Sequence, residues 1–143
     1  MSQNARSWVV KPLLTACALG LCMLVVLVPK AGASAEGCTA APLGYVCNYT
    51  HGTSTWVSEV DAIRGKLSWD AICSYSAKVF FYIPHRGTRV RRSGIVHNGA
   101  CSFGRAWINF AINRHYRDGT KICVAFYEYH RQQGGRPCEY VEK

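Results

Sequence analysis

Acidic residues are scarce in this chain of 143 residues, which has eight Asp and Glu against seventeen Lys and Arg. Its formal net charge is +9. Enzymes that use general acid–base chemistry place a titratable side chain, often a carboxylate, within reach of the reacting group. Few carboxylates are available here, and Asp118 is already explained by the Asp-Gly turn in which it stands. The shortage of acids therefore argues against a catalytic carboxylate pair.

Sequence motifs of several large enzyme classes are also missing. The chain contains no H-E-x-x-H, no G-x-S-x-G, no S-x-x-K and no glycine-rich phosphate loop. It has no C-x2-C pair either, so the cysteine spacing typical of zinc sites is absent. We therefore expect a protein that is not an enzyme and that uses neither a metal nor a cofactor.

Residues 1–35 have the composition of a signal peptide. A leader with Arg6 and Lys11 precedes an apolar run of 17 residues, and Ala33-Ser34-Ala35 fits the small-residue pattern of a cleavage site. Cleavage there predicts a secreted chain that begins at Glu36 and keeps no membrane contact. The alternative is a retained anchor, because the apolar run is barely long enough to cross a bilayer.

Six cysteines remain beyond residue 35, and an even number in a small exported chain predicts three disulfides. We expect each cysteine to pair with its neighbour along the chain. An immunoglobulin-like Cys73–Cys123 bridge is the alternative, although the Tyr expected shortly before the second Cys is missing. The predicted pairs are Cys38–Cys47, Cys73–Cys101 and Cys123–Cys138.

Residues 73–83 carry the strongest periodic signal. Their odd positions read Cys, Tyr, Ala, Val, Phe and Ile, which predicts a long strand with one buried face. Pro84 is expected to end this strand, because proline cannot donate to the ladder. The basic stretch PHRGTRVRRSG (84–94) then resumes a strand-like alternation and leads to the hairpin signal Asn98-Gly99. We interpret it first as a strand and turn whose charges protect an aggregation-prone apolar run.

Residues 106–130 are expected to form a second hairpin. Apolar residues alternate with polar ones up to an Asp-Gly pair, and a β-rich segment follows. A three-residue loop, Arg117-Asp118-Gly119 with a left-handed Gly119, sets a register in which the apolar residues of both strands lie on one face. This register pairs Ile112 with Val124 and Phe110 with Phe126, and its outer face places Trp107 opposite Tyr129 and Asn109 opposite Tyr127.

Short strands separated by turns, without a helical pattern, predict an all-β fold. We expect a disulfide-stabilised β-sandwich of about six or seven antiparallel strands over residues 56–143. Residues 36–55 are expected to form an extended N-terminal arm with the first disulfide loop. Asn48-Tyr49-Thr50 is also a glycosylation sequon, which only a host that glycosylates would use.

The composition favours a protein-binding function. Arg outnumbers Lys by ten to four in residues 36–143, and protein interfaces are enriched in Arg, Tyr and Trp and depleted in Lys. We expect a non-enzymatic module that binds another extracellular protein as an adaptor, an inhibitor or a component of an exported toxin assembly. The arm at 36–46 is one candidate contact, since an extended segment can add to a partner's sheet. The other candidates are Arg86, Arg89, Arg91, Arg92, Trp107, Tyr127 and Tyr129.

Two other functions remain as alternatives. A small basic ribonuclease or antibacterial toxin would use Glu128, His130 and Arg131, with Glu128 and His130 on one strand face. A lectin-like binder of glycans or cell walls would use aromatic rings beside Asn109 and Asn113. Nucleic-acid binding without catalysis is not expected of an exported protein, and membrane attack is not expected without a cationic amphipathic helix.

Overall fold

Nine β-strands make up the part of the chain that the structure describes, residues 35–85 and 88–143, with side chains at 36–84 and 94–143. The structure is a computed structural model. The strands are β1 (Ala35–Ala41), β2 (Gly44–Thr53), β3 (Trp56–Lys66), β4 (Ala71–His85), β5 (Thr88–Phe103), β6 (Arg105–His115), β7 (Lys121–Glu128), β8 (Arg131–Gln133) and β9 (Cys138–Tyr140). The predicted signal peptide at 1–35 lies almost entirely outside the described residues.

Two antiparallel sheets enclose one core. The first sheet has the order β1-β2-β3-β6, and the second has the order β5-β4-β7-β8, with β9 also paired to β7. The prediction of a disulfide-stabilised all-β sandwich is therefore confirmed: residues 56–143 form seven strands, as expected, and β1 and β2 are added by the segment before them. Among the described residues, no helix has the length and apolar character needed to cross a membrane.

The core between the sheets follows the predicted alternation. On β4 the odd-numbered positions from 75 to 81 are buried, and on β6 the even-numbered positions from 106 to 110 are buried. Burying one Val, Ile or Phe side chain contributes roughly 1.5–3 kcal/mol relative to leaving it exposed. The period-two pattern thus identifies the face that each of these strands turns inward.

The outer face of the second sheet carries a smaller apolar cluster that the sequence did not predict. Phe80, Cys123 and Ala125 are buried there, with Tyr82, Tyr127 and Cys138 packed against them. The chain that leads into β9 covers this face, and the Arg136 guanidinium lies 4.8 Å from the centre of the Phe80 ring. The prediction of a single buried face on residues 73–83 was therefore wrong at Phe80, because a later segment folds over it.

All three predicted disulfides are confirmed: Cys38–Cys47, Cys73–Cys101 and Cys123–Cys138. Each bridge joins residues that are directly opposite on neighbouring strands, β1–β2, β4–β5 and β7–β9. The alternative Cys73–Cys123 bridge is thereby excluded. Three disulfides fit an extracellular protein, since such bonds persist in oxidising compartments.

The segment predicted to be an arm, residues 36–55, instead forms β1 and β2 of the first sheet. Val46, Asn48 and Thr50 point into the interior and are buried. Asn48 Nδ2 donates a 3.0 Å hydrogen bond to the Ile122 carbonyl in the opposite sheet. Two of these three buried side chains are polar, so the strand lacks the apolar alternation that would have revealed it. The sequon side chain is therefore inaccessible in the folded chain.

The predicted hairpin over residues 106–130 was wrong. β6 pairs with β3 and β7 pairs with β4, so the chain crosses from one sheet to the other between them. Gly119 does adopt the predicted left-handed conformation (φ 74°), but its N–H donates to the Val141 carbonyl. The turn residue was predicted correctly, whereas the partner strand is chosen by packing across the core. The expected pairs Ile112–Val124 and Phe110–Phe126 therefore belong to different sheets.

β4 and β5 are joined across residues 86–87, which lie outside the described residues, and not at Asn98-Gly99. From Tyr75 opposite Asn98, the two strands pair without a shift up to His85 opposite Thr88, so Pro84 lies inside β4 instead of ending it. Asn98-Gly99 stands within β5, close to a shift in its register with β4. The Asn-Gly pair here accompanies a β-bulge, which disrupts strand pairing locally.

Candidate binding site at the loop end of the sandwich

Three connections lie together at one end of the sandwich, with the β7–β8 turn beside them. We call this region the loop end. The connections β2–β3, β4–β5 and β6–β7 lie at the opposite end, because neighbouring strands are antiparallel. The loop end is defined by residues 42–43, 67–70, 103–104 and 129–130.

Backbone hydrogen bonds tie the loop-end connections to one another. The Leu67 N–H donates to the Leu43 carbonyl (2.9 Å), and the Lys66 N–H donates to the Gly104 carbonyl (2.8 Å). The Gly104 N–H in turn donates to the Asp70 carbonyl (3.2 Å). The bonds of Leu67 and of Gly104 each join two different connections, and the bond of Lys66 joins the last residue of β3 to a third position in the same network, so the three loops hold one another in place.

Large apolar side chains are exposed at the loop end. Trp69 is 86% exposed and Leu67 is 85% exposed, while Leu43 and Phe103 are 68% and 65% exposed. The Trp69 ring lies over Gly104, whose left-handed backbone (φ 66°) favours glycine. A single exposed apolar residue needs no explanation, but four of them on adjoining loops form a patch of the kind that marks an interaction site.

A cleft of about 240 Å³ lies within this patch and is lined by Lys66, Leu67, Ser68, Trp69, Phe103, Gly104 and Arg105. Arg105 is exposed at its edge, and His130 and Arg131 are exposed nearby. Asp70, the acid of the β3–β4 loop, accepts a hydrogen bond from the Ser68 hydroxyl. The surroundings of the patch therefore favour an acidic partner surface.

A buried ion cluster lies behind the loop end. Arg64 is only 1% exposed, and its Nε donates a 3.0 Å hydrogen bond to Glu128 Oε1. Lys66 Nζ lies 3.1 Å from Glu128 Oε2. Both carboxylate oxygens of Glu128 are thus bound to cations, and β3 of the first sheet is joined to β7 of the second.

The two cations of this cluster also bind backbone carbonyls in the loop end and in the strand residues next to it. Arg64 donates hydrogen bonds to the carbonyls of Pro42, Tyr45 and Gly65. Lys66 Nζ donates a 2.8 Å bond to the Ala71 carbonyl. Buried ions are tolerated when their donors and acceptors are satisfied, so this cluster locks the β1–β2 turn and the start of β4 in place.

The structure separates the aromatic residues that the predicted outer face brought together. Trp107 is 65% exposed on the outer face of the first sheet, and Tyr127 is half-buried on that of the second, with Lys78 Nζ 5.4 Å from its ring centre. Tyr129, 63% exposed, lies in the β7–β8 turn at the loop end. The predicted opposition of Trp107 to Tyr129, and of Asn109 to Tyr127, was wrong because β6 and β7 are in different sheets.

The predicted basic contact lies away from the loop end. Arg86 is outside the described residues. Arg89, Arg91 and Arg92 lie in β5 near its first residue, at the opposite end of the sandwich, and only their backbone is described. The structure therefore does not bring this basic segment together with the exposed apolar patch.

The residues of the catalytic alternative do not form an acid–base pair. Tyr129 and His130 both have left-handed backbone, with φ of 47° and 66°, and form a two-residue turn between β7 and β8. The predicted shared face of Glu128 and His130 was wrong, because the period-two geometry stops at this turn. Glu128 is buried in the ion cluster, whereas His130 and Arg131 are exposed.

A polar network lies beside Trp107 on the outer face of the first sheet. Asn109 Nδ2 donates to Glu59 Oε2 (3.0 Å) and to Asp61 Oδ1 (2.9 Å). His51 Nε2 lies 3.2 Å from Asp61 Oδ2. The ligand atoms of His51, Glu59 and Asp61 lie within 4.8 Å of one another, so these are the described residues best placed to hold a cation. The absence of a metal stays a prediction.

Sequence reasoning included Tyr129 but missed the four exposed apolar residues of the loop end, although one signal was present. Leu67-Ser68-Trp69-Asp70 places two large apolar residues in a short connection, where polar turn residues are the rule. Arg64 gave no signal, because its partner Glu128 is 64 residues away in sequence. Long-range pairing of this kind is visible only in the folded chain.

Comparisons of the chain with protein-family models, with curated proteins and with solved structures find no match. Neither a fold assignment nor a site residue can be transferred from a relative. The functional proposal therefore depends on the geometry described above.

Proposed function

We propose that the chain is a secreted, non-enzymatic binding module that docks its loop end onto another extracellular protein. It would act as an adaptor, an inhibitor or a component of an exported toxin assembly. The observation that supports this is the exposure of Leu43, Leu67, Trp69 and Phe103 on loops that are tied together by backbone hydrogen bonds. Tryptophan is among the residues most enriched at interface hot spots.

The order of the loops before binding favours tight docking. Immobilising a flexible side chain in an interface costs roughly 0.5–1.5 kcal/mol, and ordering a loop adds to that cost. At the loop end the backbone is already held by the inter-loop hydrogen bonds and by Arg64 behind them. Less conformational freedom therefore remains to be lost on binding.

The test is capture of a partner from the culture medium on immobilised protein, followed by mass spectrometry. A variant with Trp69→Ala and Phe103→Ala is expected to weaken binding at least about 30-fold, since a hot spot contributes 2 kcal/mol or more. Trp107→Ala is the matched control, because that ring is as exposed as Phe103, at 65%, but lies on another face. Loss of the partner in the control, with retention in the double variant, would contradict a loop-end site.

Glycan binding is the second candidate, and the network beside Trp107 favours it. An exposed ring can stack on a sugar face while the fixed amide and carboxylates of Asn109, Asp61 and Glu59 bond its hydroxyls. Sedimentation with insoluble cell-wall polysaccharide tests this candidate. Binding should be lost in Trp107→Ala and kept in Trp69→Ala, and the reverse result would oppose it.

The arrangement at residues 128–131 gives the ribonuclease alternative no support, because Glu128 is occupied by two cations. A general base must reach the proton that it removes. Degradation of RNA by the purified protein, with loss of activity in His130→Ala, would still establish that alternative.

A further inference from the structure

One lateral side of the sandwich is closed and the other is open. On the closed side, β1 lies against β9 and the loop before it, so that side chains at Gly37 and Gly134 would collide with Glu139 and with Ala40. On the open side, β5 pairs only with β4 and β6 pairs only with β3, within the described chain. Two strand edges therefore lie side by side without a partner.

A groove of about 430 Å³ runs between these two edges. Most of its lining is apolar, and Arg114 is the one charged residue among the described residues that line it. The apolar lining residues are Val79, Phe81, Ile95, Val96, Phe110, Ala111 and Ile112. An extended chain added to β5 would place every second side chain in this groove.

The register of β5 shows which of its backbone groups face outward. Pro84 lies opposite Arg89 and has no N–H, so this pair is one of the non-hydrogen-bonded pairs of the antiparallel ladder. Pairing continues without a shift as far as Asn98. The N–H and C=O groups of the odd residues from 89 to 97, Ile95 among them, therefore point away from β4.

The second half of β5 also lacks the usual protection of an edge strand. Residues 94–103 contain no Lys, Arg, Asp, Glu or Pro, the residues that normally discourage pairing with another chain. The first half, by contrast, carries Arg89, Arg91 and Arg92. The sequence of β5 thus contains two kinds of stretch. The uncharged one can pair with another chain, and the cationic one favours a partner that is acidic.

We propose that β5 accepts an extended segment of a partner protein in which apolar and acidic residues alternate. The segment adds a strand to the second sheet, places its apolar side chains in the groove and neutralises exposed Arg114 with its acidic side chains. A second copy of this chain fits less well, because its own β5 would bring three more arginines to the same edge. The surface is separate from the loop end, although it serves the same protein-binding function.

The test uses a labelled ten-residue peptide in which Val alternates with Glu, and fluorescence anisotropy as the readout. Ile95→Pro removes one outward N–H at an edge position where proline is tolerated, and Ile95→Ala keeps that N–H. We expect the dissociation constant to rise at least tenfold in Ile95→Pro and less than threefold in Ile95→Ala. Thermal melts of both variants should show a retained cooperative transition.

Two further peptides make the result specific. A peptide with Lys in place of Glu, and a Glu peptide interrupted by prolines, should both fail to bind. Equal binding of either peptide, or unchanged binding to Ile95→Pro, would overturn the proposal. A dimer in sedimentation velocity that dissociates in Ile95→Pro would also overturn it, since the edge would then belong to a second copy.

The peptide experiment is independent of the proposed docking at the loop end. Trp69→Ala should bind the Val–Glu peptide as the wild type does. If the peptide does not bind while capture of a partner still depends on Trp69, only the edge-strand proposal fails. If peptide binding persists while no partner depends on Trp69, only the loop-end proposal fails.

Discussion

The two ends of the sandwich differ in the apolar side chains that they expose and in the buried ion cluster that lies behind the loop end. The loop end exposes large apolar side chains on loops that are backed by a buried ion cluster. The opposite end carries exposed Arg117 on the β6–β7 connection, exposed Arg114 near the end of β6, and the backbone of Arg89, Arg91 and Arg92 near the first residue of β5. Arg117 donates one long hydrogen bond, 3.4 Å, to the Pro84 carbonyl. A buried ion cluster therefore accompanies apolar exposure at the loop end, whereas the described connections of the opposite end are held by backbone hydrogen bonds such as that from the Tyr116 N–H to the Thr55 carbonyl.

This difference indicates where the fold contains interactions whose formation costs desolvation free energy. Desolvating a buried ion costs several kcal/mol, and only complete pairing and hydrogen bonding offset that cost. Arg64 and Lys66 meet this condition through Glu128 and through four backbone carbonyls in or next to the loop end. Loops that expose apolar side chains gain from such a support, because flexible apolar loops would aggregate or bind without specificity. The comparison can be tested by disturbing each end separately.

The largest expected effect is that of Glu128→Ala. This change leaves Arg64 and Lys66 buried without a counter-charge, and breaking a buried ion pair in this way costs about 3–5 kcal/mol. Urea unfolding measures the loss, and limited proteolysis should show faster cleavage at 67–70. Arg117→Ala at the opposite end is the control and should change stability by less than about 0.5 kcal/mol. Similar losses in the two variants would remove the contrast between the ends.

The second prediction concerns the disulfide next to the loop end. Cys73–Cys101 closes a sequence separation of 28 and Cys38–Cys47 one of 9. Chain-entropy arguments predict losses of about 3.5 and about 2.5 kcal/mol when the first and the second bridge are replaced by Ser pairs. Urea unfolding of the two double variants gives the order. If removal of Cys38–Cys47 proves the more costly, stability does not follow loop length in this chain.

The smallest effect is expected at Glu139, which lies near the opposite end beside Gly37. Burial, with a smaller contribution from Glu36, raises the pKa of Glu139 above its usual 4.5. The folded state therefore holds this proton more tightly than the unfolded state, so stability falls as the pH rises from about 4.5 through the raised value. Glu139→Gln should stabilise the protein by less than about 1 kcal/mol at pH 7. At pH 3 it should have no effect.

The control for this prediction is the same measurement at a pH where Glu139 is protonated in both the folded and the unfolded state. Urea unfolding of wild type and Glu139→Gln at pH 3 and pH 7 measures the difference at each value. A variant that is equally stabilising at both values would indicate a packing effect instead of a protonation effect.

Much of the fold could be predicted from local patterns. The alternation over residues 73–83 identified the inward face of β4, and the spacing of six cysteines identified the three bridges. Each of these signals acts over a short stretch or between strands that are close in sequence. The pairing of β6 with β3 and of β7 with β4 could not be predicted this way, since the alternation within a strand does not specify which strand lies beside it.

The candidate site was predicted less well than the fold. Tyr129 and Trp107 are exposed as expected, but they lie on different surfaces because their strands belong to different sheets. The loop-end patch draws its residues from three connections that are far apart in sequence. No local pattern brings Leu43, Trp69 and Phe103 together.

The amino-acid sequence by itself determined the all-β class, the inward faces of its clearest strands and the disulfide pairs, because these follow from side-chain periodicity and from short-range geometry. The tertiary structure alone decided which strands are neighbours, which edges stay open and which side chains meet at the loop end. Those features arise from packing and charge pairing between distant segments, such as Arg64 with Glu128. Such interactions between distant residues do not produce a periodic pattern in the sequence.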